Sequence, residues 1–177
     1  MKTQTPATVG RHFYQFYRGK EEVFRTAVPF LRLGLENHEA CLWVVSQGIG
    51  ILEAIEALQR ELDLTRYIES GQLLILPAER WYMDRGRFSK RKVLERTKQL
   101  IEEKGRLGFS SFRRVWDAGW VQPEDWTEVQ SYESEVHDWI QTTGVLLALC
   151  LYPTQGWNDM QRQDVMDRHD TVFLSKL

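Results

Sequence analysis

Apolar and polar positions along the chain alternate between two periods, and the switches between them mark out strands and helices. Gly144-Val145-Leu146-Leu147-Ala148-Leu149-Cys150-Leu151-Tyr152-Pro153 is an unbroken apolar run opened by Gly and closed by Pro. Such a run predicts a strand buried on both faces, and hence the central strand of a parallel sheet covered by helices. His12–Tyr17 predicts a short aromatic strand with His12, Tyr14 and Phe16 on one side. From Lys20 to Leu35, Phe24, Ala27, Val28, Leu31 and Leu35 recur at helical spacing, with a bend expected at Pro29 and an end set by Gly34 and the polar run after Leu35.

Cys41–Ser46 predicts a second strand, joined by Gln47-Gly48-Ile49-Gly50 to a helix with Ile51, Ile55, Leu58 and Leu62 on one face. A short helix over Thr65–Glu69 precedes a third strand, Gln72–Pro77, and residues 78–87, with Trp81, Tyr82 and Met83, read as a loop. Ser89 stands as the N-cap of a helix through Lys104 that turns Val93, Leu94, Thr97, Leu100 and Ile101 inward. Phe109–Trp116 predicts a strand leading to Asp117, and Pro123 starts a helix with Trp126, Val129, Tyr132, Val136, Trp139 and Ile140 facing in. A helix over Trp157–Asp167 and a strand over Thr171–Leu174 close the chain. Regular alternation of this kind predicts an α/β fold, a three-layer αβα sandwich around a mainly parallel sheet. Residues 1–11 read as a flexible tail and 12–177 as a single domain.

Composition narrows the partners. A net charge of −2 gives no general basic field for a phosphate backbone, so no direct nucleic-acid partner is expected. The longest apolar run is far short of a bilayer span and the N-terminus is polar, so the expected location is cytoplasmic, away from membranes. Of the two cysteines, Cys41 opens its strand and Cys150 lies near the end of another, an offset that predicts two free thiols.

Candidate chemistry is scattered. The turn after Ser46 lacks the lysine and the hydroxyl of a P-loop, and Gly48 and Gly50 do not complete a dinucleotide fingerprint. If that turn bound nucleotide, Arg113 is the cation expected to neutralise phosphate. No hydrolase elbow is present, and Asp117 with Glu133 could serve as acid and base only if folding brought them about 5 to 10 Å apart. His12, Cys150 and His169 are metal-ligand types without local ligand spacing, which leaves a metal or haem sensor as an alternative. His38 and His137 read as solvated. Seven tryptophans, among them Trp81, Trp116, Trp120 and Trp157 at element ends or in loops, either fill the core or line an apolar pocket for a small organic ligand.

Several short stretches together carry a family resemblance. They are His12-Phe13-Tyr14 with Tyr17, Pro29-Phe30-Leu31-Arg32-Leu33-Gly34-Leu35, Glu39-Ala40-Cys41-Leu42-Trp43-Val44, Arg113 leading to Asp117 and Trp120, Tyr132-Glu133, Ala148-Leu149-Cys150-Leu151-Tyr152, and Arg168-His169. On these the chain resembles the MEDS domain, the methanogen/methylotroph, DcmR sensory domain, a relative of RecA- and KaiC-type ATPases without the P-loop. The family usually carries Met where this chain has Ala118, a change that widens or reshapes the pocket. The resemblance implies a non-enzymatic sensory domain that needs no cofactor, recognises a small hydrocarbon-derived molecule and signals in trans to a regulator or kinase, with self-association left open. The ligand contacts it implies are His12 and Cys150, joined in our reading by Tyr14, Trp43, Arg113, Asp117, Trp120, Glu133 and Tyr152, in a pocket beyond the strand ends.

Overall fold

The computed structural model describes residues 11–172, so residues 1–10 and the end of the expected last strand lie outside it. In chain order the elements are β1 (Arg11–Tyr17), α1 (Lys20–Glu36), β2 (Ala40–Val45), α2 (Ile51–Gln59), α3 (Thr65–Glu69) and β3 (Leu73–Pro77). They continue with α4 (Ala78–Tyr82), a hairpin of β4 (Met83–Asp84) and β5 (Arg87–Phe88), α5 (Lys90–Arg106) and β6 (Phe112–Asp117). A 3-10 turn (Pro123–Asp125) opens α6 (Trp126–Thr143), followed by β7 (Leu146–Pro153), α7 (Asp159–Asp167) and β8 (Thr171–Val172).

The six longer-range strands pair in parallel in the order β3-β2-β6-β7-β1-β8. Parallel neighbours need crossover helices, and these cover both faces, giving the expected αβα sandwich. One core joins Trp43, Val115 and Leu149 of the sheet to Val23, Leu31 and Leu58 of α1 and α2. The other joins Trp116, Cys150 and Tyr152 to α4, α5, α6 and Val165 of α7. Because successive strand residues point to opposite faces, His12 and Tyr14 share the second core with Cys150, whereas Phe13 and Tyr17 belong to the first. Among the described residues no helix is long and apolar enough to cross a membrane.

Four local expectations change. Arg11, expected in the tail, opens β1. Gly34 does not end α1 but lies inside it, where a Cβ would sit 2.5 Å from Cδ of Arg113 and 2.9 Å from Sγ of Cys41. The stretch from Ala78 to Arg87 is α4 plus a hairpin, not a loop, because Trp81 and Tyr82 bury their rings; α4 has only five residues, too few for a helical period to show. Ser89 holds the N-cap position of α5 without a side-chain capping bond, and Glu128 of α6 instead accepts the Lys90 N–H at 3.1 Å.

The tryptophans expected at element ends are core residues rather than pocket walls in three cases, since Trp81, Trp116 and Trp120 are all buried. Tyr82 stacks on Trp120 with centroids 5.0 Å apart, and Trp116 meets Tyr152 edge-on at 5.5 Å. Rings of this size dominate the area buried under α4 and α5, and the aromatic pairs add roughly 0.5–1.5 kcal/mol each beyond it.

Candidate functional site

Four elements deliver one polar cluster into the second core. β1 supplies His12 and its neighbour β7 supplies Cys150, in a register that pairs Tyr14 with Cys150 and His12 with Ala148. α6 supplies Glu133, and the turn after α7 supplies His169. His12 Nε2 lies 3.0 Å from Glu133 Oε2 and 3.2 Å from Cys150 Sγ. Glu133 Oε2 is 3.7 Å from both Cys150 Sγ and His169 Nε2. The histidine rings sit 4.0 Å apart, and the four donor atoms all lie within 4.8 Å of one another.

Burial sets the charge state. Desolvation first, and the Arg114 charge second, lower His12 to about 3. His169 is lowered to about 3 by desolvation and then by His12. Both rings are therefore neutral at pH 7, and the 3.0 Å His12–Glu133 contact is a close approach of an uncharged imidazole to a carboxyl group rather than an ion pair. Desolvation also pushes the Glu133 carboxyl and the Cys150 thiol upward, the latter strongly. His169 Nδ1 donates to the Val165 carbonyl at 2.6 Å, which leaves its Nε2 as a bare lone pair.

Arg114 of β6 lies on the same side of the sheet and is fully buried, with Nη1 donating to the Tyr132 hydroxyl. Its Nε and Nη2 have no hydrogen-bond partner among the described residues, nor do Glu133 Oε1, His12 Nδ1, His169 Nε2 and the hydroxyls of Tyr82 and Tyr152. Buried polar atoms without partners each cost about 1–3 kcal/mol, so a concentration of them around one cluster is a functional signal. Beside Glu133 and His169 the packing leaves a void of only about 10 Å³.

A separate cleft of about 220 Å³ opens beyond the carboxyl ends of β6 and β7. Ala118, Gly119, Val121, Gln122, Pro123 and Trp126 line it from the β6 side, and Pro153, Gln155, Gly156, Trp157 and Gln161 from the β7 side. Trp126 and Trp157 meet edge-to-face at 4.6 Å. Gly156 turns the β7–α7 loop with φ of +85°, and Asn158 and Gln161 form a capping box that fixes the start of α7. Tyr152 bridges the two places: its ring lies 5.6 Å from Trp157 and 5.8 Å from His169. A larger depression between α1 and α2, about 350 Å³, is an open groove edged by Arg25, Arg32, Arg60 and Glu61.

The structure brings together His12, Glu133 and Cys150, with Tyr14 5.5 Å from the His169 ring and Tyr152 close by. The space expected between His12 and Cys150 is closed, since their facing atoms are 3.2 Å apart, and Cys150 lies in mid-strand rather than at the strand end. Trp43 is on the other face of the sheet, against Phe24 at 6.2 Å. Arg113 is also there, bound to Glu39, the Phe30 carbonyl at 3.1 Å and the face of the Phe30 ring. It sits near the amino end of β6, in register with Cys41 and so about 16 Å of strand from the Ser46 turn, and cannot serve that turn as a phosphate cation. Asp117 accepts from the Tyr17 hydroxyl at 2.7 Å, from Ser46 and from the Gly119 N–H at 2.9 Å. It too is on the α1 side, so Asp117 and Glu133 are no acid–base pair. Trp120 belongs to the Tyr82 stack. His137, read as solvated, is half-buried with its ring 5.7 Å from His12.

Sequence reasoning missed Arg114 and the glutamines of the cleft. Arg114 had a signal: a cation amid the apolar residues of a buried strand has to be paired or used. Gln122, Gln155 and Gln161 had only their place after the carboxyl ends of two neighbouring strands.

The family profile that matches residues 11–170 describes a sensory domain. The chain belongs to that family, MEDS, the methanogen/methylotroph, DcmR sensory domain. Among solved structures it is similar to the flagellar accessory protein FlaH from Methanocaldococcus jannaschii, with 15% identity and a TM-score of 0.49 over 90% of this chain and 70% of that one. No curated protein sequence matches it.

Proposed function

We propose that this sensory domain is non-enzymatic, takes a small organic molecule into the cleft beyond β6 and β7, and passes the cleft's occupancy to a partner regulator in trans. The cleft carries the reading. At about 220 Å³ it is smaller than the roughly 300–1,000 Å³ of drug-sized sites, so its guest has few heavy atoms. Indole walls favour an apolar or halogenated body, and the three glutamine amides offer donors and acceptors to one polar end. The lining side chains are aliphatic, aromatic and amide, a set suited to binding rather than to acid–base or nucleophilic chemistry. A guest on Trp157 touches the loop that starts α7, and it shifts that loop only as far as it prefers one arrangement over another.

The test is a thermal-shift screen of small methylated and halogenated organics at millimolar concentration, repeated on Ala118→Met and Trp157→Ala. The reading expects at least one compound to raise the Tm of the native chain, and both variants to lose that increment. No stabilisation by any compound, or stabilisation that survives both variants, overturns it.

A further inference from the structure

The cluster of His12, Glu133, Cys150 and His169 is too tight for an organic guest, yet its atoms are arranged for something smaller. In a tetrahedral site with metal distances of about 2.0–2.1 Å to nitrogen and oxygen and about 2.3 Å to sulfur, ligand atoms lie about 3.3 Å apart for N and O pairs and about 3.5 Å apart where sulfur is involved. The observed separations run 3.0 Å for His12–Glu133, 3.2 Å for His12–Cys150, and 3.7 Å for both Glu133–Cys150 and Glu133–His169. Four of the six pairs thus lie within a few tenths of an ångström of the edges of one coordination tetrahedron, and no pair is more than 4.8 Å apart.

We infer that His12 Nε2, Glu133 Oε2, Cys150 Sγ and His169 Nε2 bind a single divalent transition-metal ion, with zinc the best fit. Two imidazoles, a carboxylate and a thiolate in four-coordinate geometry are a zinc-type donor set, and the two anionic ligands balance the ion's charge. Hydrogen bonding alone leaves the cluster poorly served. The Nε2 lone pair of His169 faces the Glu133 oxygen with no proton between them, because the ring proton is committed to the Val165 carbonyl. That same Nδ1–H bond is the outer-sphere contact that orients a metal-bound histidine. The buried Arg114 guanidinium, with two donors to spare, is a fixed positive charge on the side of the carboxylate and thiolate.

A void of about 10 Å³, lined by Glu133 and His169 but by neither His12 nor Cys150, adjoins the cluster on its Tyr152 and Arg168 side. All four ligands are buried, so the site is closed, as structural zinc sites are. The ion would tie β1 and β7 to α6 and to the turn before β8. It would also sit behind Tyr152, whose ring reaches Trp157 at the cleft. The inference stands apart from the organic-ligand reading, and its test uses no organic compound.

The full chain is expressed in minimal medium with added Zn²⁺, and separately with Co²⁺, so that the closed site fills as the protein folds. Elemental analysis after gel filtration is expected to give one equivalent of metal per chain. The cobalt form is expected to show intense tetrahedral visible bands and a near-ultraviolet thiolate-to-cobalt band. Cys41→Ser should keep that band and Cys150→Ser should lose it, while His169→Gln should lose at least tenfold in metal retention during dialysis against a chelator. A folded native chain that emerges without stoichiometric metal from both media overturns the inference. So does a thiolate band that persists in Cys150→Ser. Should the Cys150 variant fail to fold, the native cobalt spectrum decides alone: octahedral bands without a sulfur band refute the site.

Discussion

Gly34 of α1 and Arg113 of β6 interlock, with the place of a Cβ on residue 34 only 2.5 Å from Cδ of the arginine. Arg113 cannot yield easily, because its guanidinium is held by Glu39 and by the Phe30 carbonyl. In an open helix, Gly→Ala gains about 0.8–1.0 kcal/mol of propensity. Here overpacking, at about 1–3 kcal/mol, outweighs it. Gly34→Ala is expected to lower stability in urea unfolding by about 1–2 kcal/mol. In an Arg113→Ala background the same change should lower it by clearly less, and additive effects would show that the two residues do not share the contact.

The buried pair itself supplies the second prediction. Arg113→Met leaves the Glu39 carboxylate buried and unpaired, and removing one partner of such a pair costs about 3–5 kcal/mol. Equilibrium unfolding should show a loss of that order. Substituting both residues by apolar ones of similar volume should cost much less than the single change.

Asp117 is a three-way acceptor that ties the end of β6 to the end of β1 and to Ser46 after β2. Tyr17→Phe removes one donor and is expected to cost about 1 kcal/mol. Asp117→Ala removes the acceptor of three donors, of which the Tyr17 and Ser46 hydroxyls are buried, and is expected to cost more than about 2 kcal/mol at about 1–3 kcal/mol per buried unsatisfied group. Equal losses for the two variants would mean that Asp117 acts through Tyr17 alone. Burial raises the Tyr17 phenol well above its ordinary range, with Asp117 adding to it, so its proton stays in this bond throughout the alkaline range in which the fold persists.

Both cysteines are free and buried, and desolvation raises both thiols. Reaction with an aromatic disulfide reagent at pH 7–8 should therefore show no fast phase in the native protein, and two thiols per chain after unfolding in guanidinium and chelator. A thiol that reacts within seconds in the native state would contradict the burial of its strand.

Trp120, a ligand contact by sequence reasoning, stacks on Tyr82 and tilts against Phe88 at 5.3 Å. Trp120→Ala is expected to cost about 3–5 kcal/mol, as for other buried large-to-small changes. A stability loss below about 1 kcal/mol would return it to the list of binding residues.

Much of the scaffold was legible because burial on two faces writes itself into local sequence. The apolar run over Leu146–Pro153 became β7, between β6 and β1, and the helical period from Trp126 to Ile140 became the inner face of α6. Elements too short for a period, such as α4, left no such trace. The site was legible in part. His12, Glu133, Cys150 and His169 are all picked out by residue type but not as direct neighbours, and the sequence points to Arg113 where its neighbour Arg114 faces the cluster.

Periodicity is a property of neighbouring residues, so the sequence by itself determined the alternation of strands and helices, the layering around a parallel sheet and which side chains are turned inward. Proximity between remote segments depends on strand register and on how helices seat across a sheet. Tertiary structure alone therefore decided that His12 and Cys150 meet Glu133 and His169 within a few ångströms, that Arg113 points away from them, and that the open space lies one aromatic ring further on, at Trp157.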